Sequence, residues 1–144
     1  MLNFFKHNDT AQSRLYNKIL SLSRNKIFYT NFGLSDTFQN RIYLIFLHIS
    51  FLNIKTKQVN LHKTYNTFFQ KMFEFMFNEI DQNMREIGYG DSVVSKNMKF
   101  LVTTFFNILL KCENYKKRSL DHKNMFFCYY LEQNNKKNNT IDPL

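Results

Sequence analysis

The chain divides at Arg85-Glu86-Ile87-Gly88-Tyr89-Gly90-Asp91, a stretch that holds two of the three glycines among 144 residues. Helical patterns of apolar residues lie before it and after it. Glycine ends a helix because it adopts the left-handed backbone conformation without a steric penalty. We therefore predict that one helix ends at this glycine pair and that Asp91 caps the next, by accepting hydrogen bonds from its free N–H groups. Valine at Gly88 or Gly90 is expected to destabilise the fold, because a β-branched residue resists positive φ.

A second break contains the remaining glycine, Gly33, in residues 31–37, which read Asn-Phe-Gly-Leu-Ser-Asp-Thr. Around the two breaks, apolar residues recur at helical spacing in five segments. The predicted helices span about residues 10–24, 38–52, 61–87, 92–115 and 120–131. Asp9 or Thr10 is expected to cap the first helix, and a residue of 35–37 the second. Residues 27–37 are predicted to form an ordered loop, and residues 55–60 a polar linker.

This pattern predicts an all-α fold, an irregular bundle of about five helices in a single domain. The 17 Phe and 8 Tyr side chains supply bulky material for a core. The predicted helix over residues 38–52 is apolar nearly all round, which indicates a central position. We place the helical domain at residues 10–131, after an N-terminal extension of residues 1–9 and before a disordered polar tail of residues 132–144.

The formal net charge is +9, which favours an acidic partner such as nucleic acid, the ribosome or an anionic membrane surface. The chain is also rich in Asn, Lys, Ile and Phe, as AT-rich codons specify, so the charge has an equally simple genomic explanation. The basic residues fall into two groups that form one basic face if they meet in space. They are Lys6, Arg14, Lys18, Arg24 and Lys26, and Lys111, Lys116, Lys117, Arg118 and Lys123.

The cysteines and the apolar runs bear on the compartment. Cys112 and Cys128 are too few for a disulfide scaffold and lack metal-site spacing, which favours a reducing compartment. No uninterrupted run of about 18 apolar residues exists, so no membrane-spanning helix is predicted. Residues 1–7 lack the apolar core and cleavage site of a secretory signal, and a helical pattern from about residue 10 leaves little room for a transit peptide.

No arrangement of side chains typical of an enzyme is present, so no catalytic residue, cofactor or metal is predicted. The sequence has no phosphate-binding Gly-rich loop and no Cys-x-x-Cys, and its 4 His lack helical zinc-site partners. His48 is interpreted as a core histidine hydrogen-bonded to a neighbour, with proton transfer or haem ligation as the alternative. Asp81 and Arg85 predict a surface ion pair rather than acid–base chemistry.

Four methionines, Met72, Met76, Met84 and Met98, recur along the apolar side of the third and fourth predicted helices. They are interpreted as core, with an adaptable surface for an apolar client as the alternative. Aromatic residues among lysines over residues 115–130 leave open the stacking of nucleic-acid bases.

Two blocks of sequence resemble the ubiquinol–cytochrome c chaperone family. The first contains Phe28-Tyr29-Thr30, Gly33-Leu34-Ser35-Asp36-Thr37, Asn40-Arg41 and Leu47-His48. The second is residues 81–91, which read Asp-Gln-Asn-Met-Arg-Glu-Ile-Gly-Tyr-Gly-Asp, followed by Val94, Lys96 and Met98-Lys99. The order and spacing of the motifs agree in both blocks, over about residues 15–115. Tyr89 departs from the family pattern, where a small aliphatic residue is commoner, and the last helix and tail match nothing in it.

The resemblance implies a non-enzymatic assembly factor for newly made cytochrome b on its way into ubiquinol–cytochrome c reductase. In mitochondria such proteins work with a small co-chaperone near the ribosome and the inner membrane. The lack of a clear presequence indicates the bacterial form, a cytoplasmic protein in peripheral contact with the inner membrane; a eukaryotic form is expected in the mitochondrial matrix at that membrane. No specific DNA is implied. The alternative is a general basic ribosome- or RNA-binding module.

Motif residues with polar or aromatic side chains are the candidates for partner binding, although packing and capping explain the same residue types. They are Phe28, Tyr29, Asp36, Arg41, His48, Asp81, Asn83, Arg85, Glu86, Asp91, Lys96 and Lys99. Three glycines are predicted to form structural turns: Gly33, Gly88 and Gly90.

Overall fold

The computed structural model describes residues 9–59 and 62–132, and these residues form α-helices and one 3-10 turn but no β-strand. The elements in chain order are α1 (Ala11–Ser23), α2 (Lys26–Thr30), α3 (Phe38–Lys57), α4 (His62–Ile87), α5 (Asp91–Glu113), the 3-10 turn (Tyr115–Lys117) and α6 (Leu120–Tyr130). The five helices longer than α2 correspond to the five predicted segments. The all-α prediction is confirmed.

Side-chain hydrogen bonds explain where two of the helices begin. The Thr10 hydroxyl accepts a hydrogen bond from the backbone N–H of Ser13 at 3.1 Å. At the start of α3, the Thr37 hydroxyl accepts one from the backbone N–H of Asn40 at 3.2 Å. Each threonine thereby satisfies one of the N–H groups that the first turn of a helix leaves free. Both threonines are among the predicted caps.

Two of the predicted connections are wrong in part. The predicted loop over residues 27–37 begins inside α2, a single helical turn started by the Asn25 side chain, which accepts a hydrogen bond from the N–H of Ile27 at 3.0 Å. The predicted linker at residues 55–60 begins inside α3, which continues to Lys57. Lys57 forms an ion pair with Glu113 of α5 at 3.0 Å, and this contact lies beyond the end of the apolar pattern.

The core is built around α3, which packs against α1, α4 and α5. Phe46 of α3, Phe77 of α4 and Phe105 of α5 meet with ring centroids 5.2 to 6.0 Å apart. Three of the four methionines, Met72, Met76 and Met84, are buried on α4 and so belong to the core. Large side chains from three helices thus fill the core, since aromatic rings bury large apolar areas.

Asn40 joins the end of the described chain to the start of α3. Its amide nitrogen donates hydrogen bonds to the backbone oxygens of Ser35 and Glu132, both at 2.8 Å. Its amide oxygen accepts one from the N–H of Glu132 at 3.0 Å. Glu132 is the last residue described, so the predicted disorder of the rest of the tail and the N-terminal extension up to residue 8 lie outside the described residues. The domain boundaries stay a prediction.

One side of α5 faces outward. Among the described helices, α5 is the one whose length and mean hydropathy would suffice to cross a membrane, yet only 28% of its most apolar window is buried inside the protein. The expectation that no helix qualifies was therefore too strict, because scattered polar residues interrupt the apolar run without making the helix polar on average. Its other side packs on α3 and α4.

Candidate functional site

A groove runs between the end of α1, α2, the start of α3 and the last turns of α4. It consists of two cavities of about 440 Å³ and about 280 Å³ that share Arg24 and Arg41 in their walls. We call it the Arg24–Arg41 groove. Its polar end is lined by Arg24, Lys26, Tyr29, Thr30, Asp36 and Arg41. Its apolar end is lined mainly by Tyr16, Leu20, Phe38, Ile42, Ile45, Ile80 and Ile87, with Ser23, Asn83 and Glu86 among them.

At the polar end, Arg41 and Asp36 form a two-point ion pair. The Arg41 Nε donates to Asp36 Oδ1 at 2.7 Å, and its second guanidinium nitrogen donates to Asp36 Oδ2 at 2.9 Å. Asp36 precedes the cap of α3 and Arg41 lies one turn into that helix, so the helix start brings them together. The hydrogen bonds from Arg41 lower the pKa of Asp36 from its usual range, and those to Asp36 raise the pKa of Arg41.

The groove is positively charged at this end. Arg24 and Lys26 line it, and neither has an ion-pair partner among the residues described. The Tyr29 hydroxyl is held at the wall because it donates to the backbone oxygen of Ser23 at 3.2 Å. Burial raises the pKa of Tyr29, so its hydroxyl remains a neutral hydrogen-bonding group.

The apolar end of the groove is open to solvent at its lip. Phe38 at the start of α3 and Ile87 at the end of α4 are both exposed. Asn83 and Glu86 lie beside them, on the same turns of α4. The groove therefore offers apolar surface next to a cationic end, an arrangement that can bind an apolar segment carrying an acidic group without any covalent chemistry.

The structure brings five of the twelve predicted partner-binding residues to this groove. They are Tyr29, Asp36, Arg41, Asn83 and Glu86. Tyr29, Asp36 and Arg41 come from the first motif block, and Asn83 and Glu86 come from the second. The two blocks are therefore adjacent in space.

Three other candidates form a separate cluster at the turn between α4 and α5: the exposed Arg85 and Asp91 and the half-buried Asp81. Arg85 donates to Asp81 Oδ1 at 2.7 Å, as the spacing predicted, and also pairs with Asp91 Oδ1. The prediction that Asp91 caps α5 is wrong: Gly90 is the N-cap residue, and no side chain caps this helix. The arginine on the preceding helix binds the carboxylate instead, and ties the two helices together across the turn.

The two glycines of this turn have different backbone conformations. Gly88 has a φ of +107°, in the region that favours glycine, whereas Gly90 has an ordinary φ of −73°. The expectation that valine would meet a positive φ is therefore wrong for Gly90. The same expectation is correct for Gly88. Gly33 has a φ of +64°, which agrees with its predicted role in a turn.

Phe28 and His48 pack beside the groove and do not line it. The His48 Nδ1 lies 2.6 Å from the backbone oxygen of Leu44, so this nitrogen donates the hydrogen bond, because a carbonyl oxygen can only accept. The Phe28 ring meets the imidazole edge-on at 6.0 Å. His48 is half-buried, and its contacts are those of a histidine that packs between helices. No group of three His, Cys, Asp or Glu side chains that could hold a metal ion occurs within residues 9–59 and 62–132.

The last two candidates, Lys96 and Lys99, are exposed on the outward side of α5 and are not in the lining of the groove. Sequence reasoning missed Arg24, which follows the end of α1 and lines both cavities. Its only signal in the sequence was its membership of a basic group. Lys6 lies outside the described residues; the other members of the two basic groups do not meet through the main helix contacts, since α1 packs on α3 and α4 while the second group surrounds the turn from α5 to α6.

Comparisons with known proteins agree with the motifs. No curated protein sequence gives a match. Among solved structures, the crystal structure of the Cbp3 homolog from Brucella abortus is similar, with a TM-score of 0.69 and 24% sequence identity. The match covers 83% of this chain and 66% of that one, so this chain spans about two thirds of the length of its structural relative, and the likeness is one of fold. A family model described as "Ubiquinol-cytochrome C chaperone" matches residues 30–122. The chain belongs to the ubiquinol–cytochrome c chaperone family.

Proposed function

We propose that this protein is a non-enzymatic chaperone in the assembly of ubiquinol–cytochrome c reductase, that its client is newly made cytochrome b, and that the Arg24–Arg41 groove holds the client. The observation that carries the proposal is the family match over residues 30–122, which contains part of each end of the groove, while the groove residues of α1 and most of those of α2 precede it. In particular, it contains the Asp36–Arg41 pair of the polar end and Asn83 and Glu86 of the apolar end. Family membership supports the role in assembly, and the groove offers the surface for it.

The chemistry of the groove suits a segment of an unfolded or newly inserted membrane protein. Its apolar lining accepts apolar side chains, and its cationic end accepts a carboxylate or a backbone carbonyl group. Such contacts are reversible, because they consist of apolar burial and hydrogen bonds. A chaperone needs reversible contacts, since the client must leave when it joins its partner subunits.

The test is site-specific crosslinking in a cell that assembles ubiquinol–cytochrome c reductase. A photoreactive benzoylphenylalanine replaces Phe38 at the lip of the groove, and in the control it replaces Leu120, which is exposed on α6. We expect mass spectrometry to identify cytochrome b peptides at position 38 and to find far fewer at position 120. Equal yields at the two positions, or no cytochrome b at position 38, would contradict the proposal.

A matched pair of arginine variants tests the polar end. Arg41 and Arg14 each form one exposed ion pair with an aspartate, Asp36 and Asp9, but only Arg41 lines the groove. Because exposed ion pairs contribute only about 0–1 kcal/mol, neither alanine variant is expected to unfold the protein. We expect Arg41→Ala to lower the recovery of cytochrome b, and Arg14→Ala to leave it unchanged. The same recovery with both variants would exclude the polar end from client binding.

The second candidate function, a ribosome- or RNA-binding module, rests on the turn from α5 to α6. Lys123 lies 5.1 Å from the centre of the Tyr115 ring, and Lys116 and Lys117 are exposed next to it. Binding through phosphate contacts weakens steeply as salt rises. We expect co-sedimentation with ribosomes, if it occurs, to fall with salt and with Lys116→Glu combined with Lys117→Glu. A contact with the ribosome is compatible with the chaperone role, and so is a small co-chaperone.

We place the protein at the inner membrane as a peripheral protein, on the cytoplasmic side in a bacterium or on the matrix side in a mitochondrion. This location follows from the client, because cytochrome b enters the membrane as it is made. Fractionation of cells that carry the tagged protein tests the location. Recovery with the membrane fraction at low salt and release by alkaline carbonate would support it, whereas recovery in the soluble fraction alone would contradict it.

A further inference from the structure

The outward side of α5 is an apolar feature that the chaperone proposal leaves unexplained. Phe100 and Leu110 are 61% and 62% exposed, and Val93 and Phe106 are also exposed. Val93 and Phe100 are two helical turns apart and point the same way, whereas Phe106 and Leu110 lie further along, turned by about 120° and about 80° from Phe100 at 3.6 residues per turn. Four exposed apolar side chains on the outward half of one helix, rather than scattered singly over the protein, indicate a surface that contacts something. We call this surface the α5 face.

The α5 face carries positive charge towards each of its ends. Between Asp91 and Glu113 the helix carries lysines at positions 96, 99 and 111 and no acidic residue. The two carboxylates at its ends are already paired, Asp91 with Arg85 and Glu113 with Lys57, on other helices. Lys96 lies three residues after Val93 and four before Phe100, so it projects beside both. The face therefore combines apolar side chains with lysines that no carboxylate of α5 neutralises.

The end of the face has a further feature. The Lys111 Nζ lies 4.6 Å from the centre of the Tyr129 ring, and this ring is exposed. Tyrosine and lysine side chains have an apolar body and a polar end, and both accumulate where hydrocarbon meets water. Phe and Leu on the outward side of α5, with lysines of α5 and Tyr129 of α6 beside them, match the composition of a protein surface that lies in a membrane interface.

We propose that the α5 face is a docking surface for an anionic lipid bilayer, on which α5 lies in the plane of the membrane. The inference deepens the proposed location at the inner membrane and rests on it. A bilayer with anionic headgroups matches both properties of the face, since the lysines attract the headgroups and the apolar side chains enter the acyl boundary. The helix does not cross the membrane, because its opposite side packs on α3 and α4.

The test is flotation of the purified full-length chain with vesicles of phosphatidylcholine alone or of phosphatidylcholine with phosphatidylglycerol. One variant reverses charge on the face, Lys96→Glu with Lys99→Glu, and its control reverses two exposed lysines elsewhere, Lys18→Glu with Lys71→Glu. We expect the native chain to float with the anionic vesicles only. The variant on the face is expected to lose about tenfold or more in affinity, and the control to lose much less.

A second pair of variants tests the apolar part. Phe100→Ser with Leu110→Ser removes it, and Leu120→Ser with Met125→Ser removes two equally exposed apolar side chains of α6 as the control. All four residues are exposed, so circular dichroism is expected to show native helix content in every variant. Loss of flotation in the α5 variant alone would support the inference. Flotation of the native chain with neither vesicle, or with both alike, would overturn it, as would equal binding by the α5 variants and their controls.

Two other occupants have distinct outcomes. If the face held a second copy of this chain, light scattering would find a dimer that the α5 variants dissociate, without binding to vesicles. If it held the client, the α5 variants would lose cytochrome b crosslinks in detergent while they still floated with vesicles. Either result would overturn lipid docking. Persistent crosslinks from position 38 without flotation would leave the chaperone proposal intact, whereas flotation without those crosslinks would remove the client proposal alone.

Discussion

Replacement of Asn40 by alanine is expected to release the end of the chain from the start of α3. Asn40 is only 1% exposed, and its side chain makes three hydrogen bonds to backbone groups of Ser35 and Glu132, at 2.8, 2.8 and 3.0 Å. The Glu132 carbonyl also accepts a hydrogen bond from the N–H of Ser35 at 3.0 Å. The two segments are 92 residues apart in sequence, so no local structure replaces these bonds when the amide is lost.

The size of the effect follows from the number of bonds lost. Each net hydrogen bond contributes about 1 kcal/mol, so three give about 3 kcal/mol. Glu132 is exposed, and water can replace part of its hydrogen bonding after the contact opens, which lowers the expected loss to about 2 kcal/mol. Such a loss corresponds to a melting temperature lower by roughly 5–10 °C in a domain of this size.

Thermal unfolding followed by circular dichroism measures the loss, and amide hydrogen exchange at Ser35 and Glu132 locates it. Asn78→Ala is the matched control, because Asn78 is exposed on α4 and its substitution brings the same gain in helix propensity. We expect Asn40→Ala to melt well below this control, with faster exchange at both amides. Identical melting of the two variants, with both amides still protected, would refute the reasoning that Asn40 holds the chain end.

Three further predictions concern the turn, the core and the thiols. Gly88→Val is expected to lower the free energy of unfolding by about 1–3 kcal/mol, because φ is positive at this position. Gly90→Val is expected to change it little, because φ is ordinary there and no atom lies within 4 Å of the added Cβ. Equal midpoints of urea unfolding for the two variants would contradict this prediction. Phe105→Ala is expected to cost about 3–5 kcal/mol, since its ring is fully buried between α3 and α4, and chemical unfolding measures the loss. With a thiol reagent, exposed Cys128 is expected to react in the native protein, whereas burial raises the pKa of Cys112 to about 12 and delays its reaction until unfolding. Rapid reaction of a Cys128→Ser variant would contradict the assignment.

Much of the fold could be predicted because its signals are local. The chain has few glycines, so each marks a real turn. The apolar patterns of α4 and α5 are long enough to predict both helices even where the exact end residues are not predicted. The features that the sequence did not predict depend on contacts between different helices. Asp91 had the sequence position of a cap, but Arg85 lies close enough to bind its carboxylate. The last turn of α3 carries polar residues, and its contact with Glu113 of α5 could not be read from the pattern.

Five residues of the candidate groove could be named from the sequence, but Arg24 and the surface that these residues form could not. The motif blocks named Asp36 and Arg41 in one half and Asn83 and Glu86 in the other, and only the packing of α3 against α4 makes them neighbours. Within the second block, residues that are adjacent in sequence lie on different sides of α4. Arg85 faces the turn to α5, while Glu86 faces the groove. A motif therefore groups residues of different roles, which a helix separates at 100° per residue.

The two proposed surfaces are distinct in the residues that form them, and this has a measurable consequence. The lining of the groove contains no residue of α5, and the α5 face contains no residue of the groove. A protein held on the membrane by α5 would meet its client, cytochrome b, at a raised effective concentration, because both are confined to one surface. Arg41→Ala and the double lysine reversal at 96 and 99 should then each lower crosslinking of cytochrome b in membranes, and their losses in free energy should add, as expected for separate sites. In detergent, where the bilayer is gone, only Arg41→Ala should retain its effect. Equal effects of the lysine reversal in membranes and in detergent would show that the α5 face contacts the client itself.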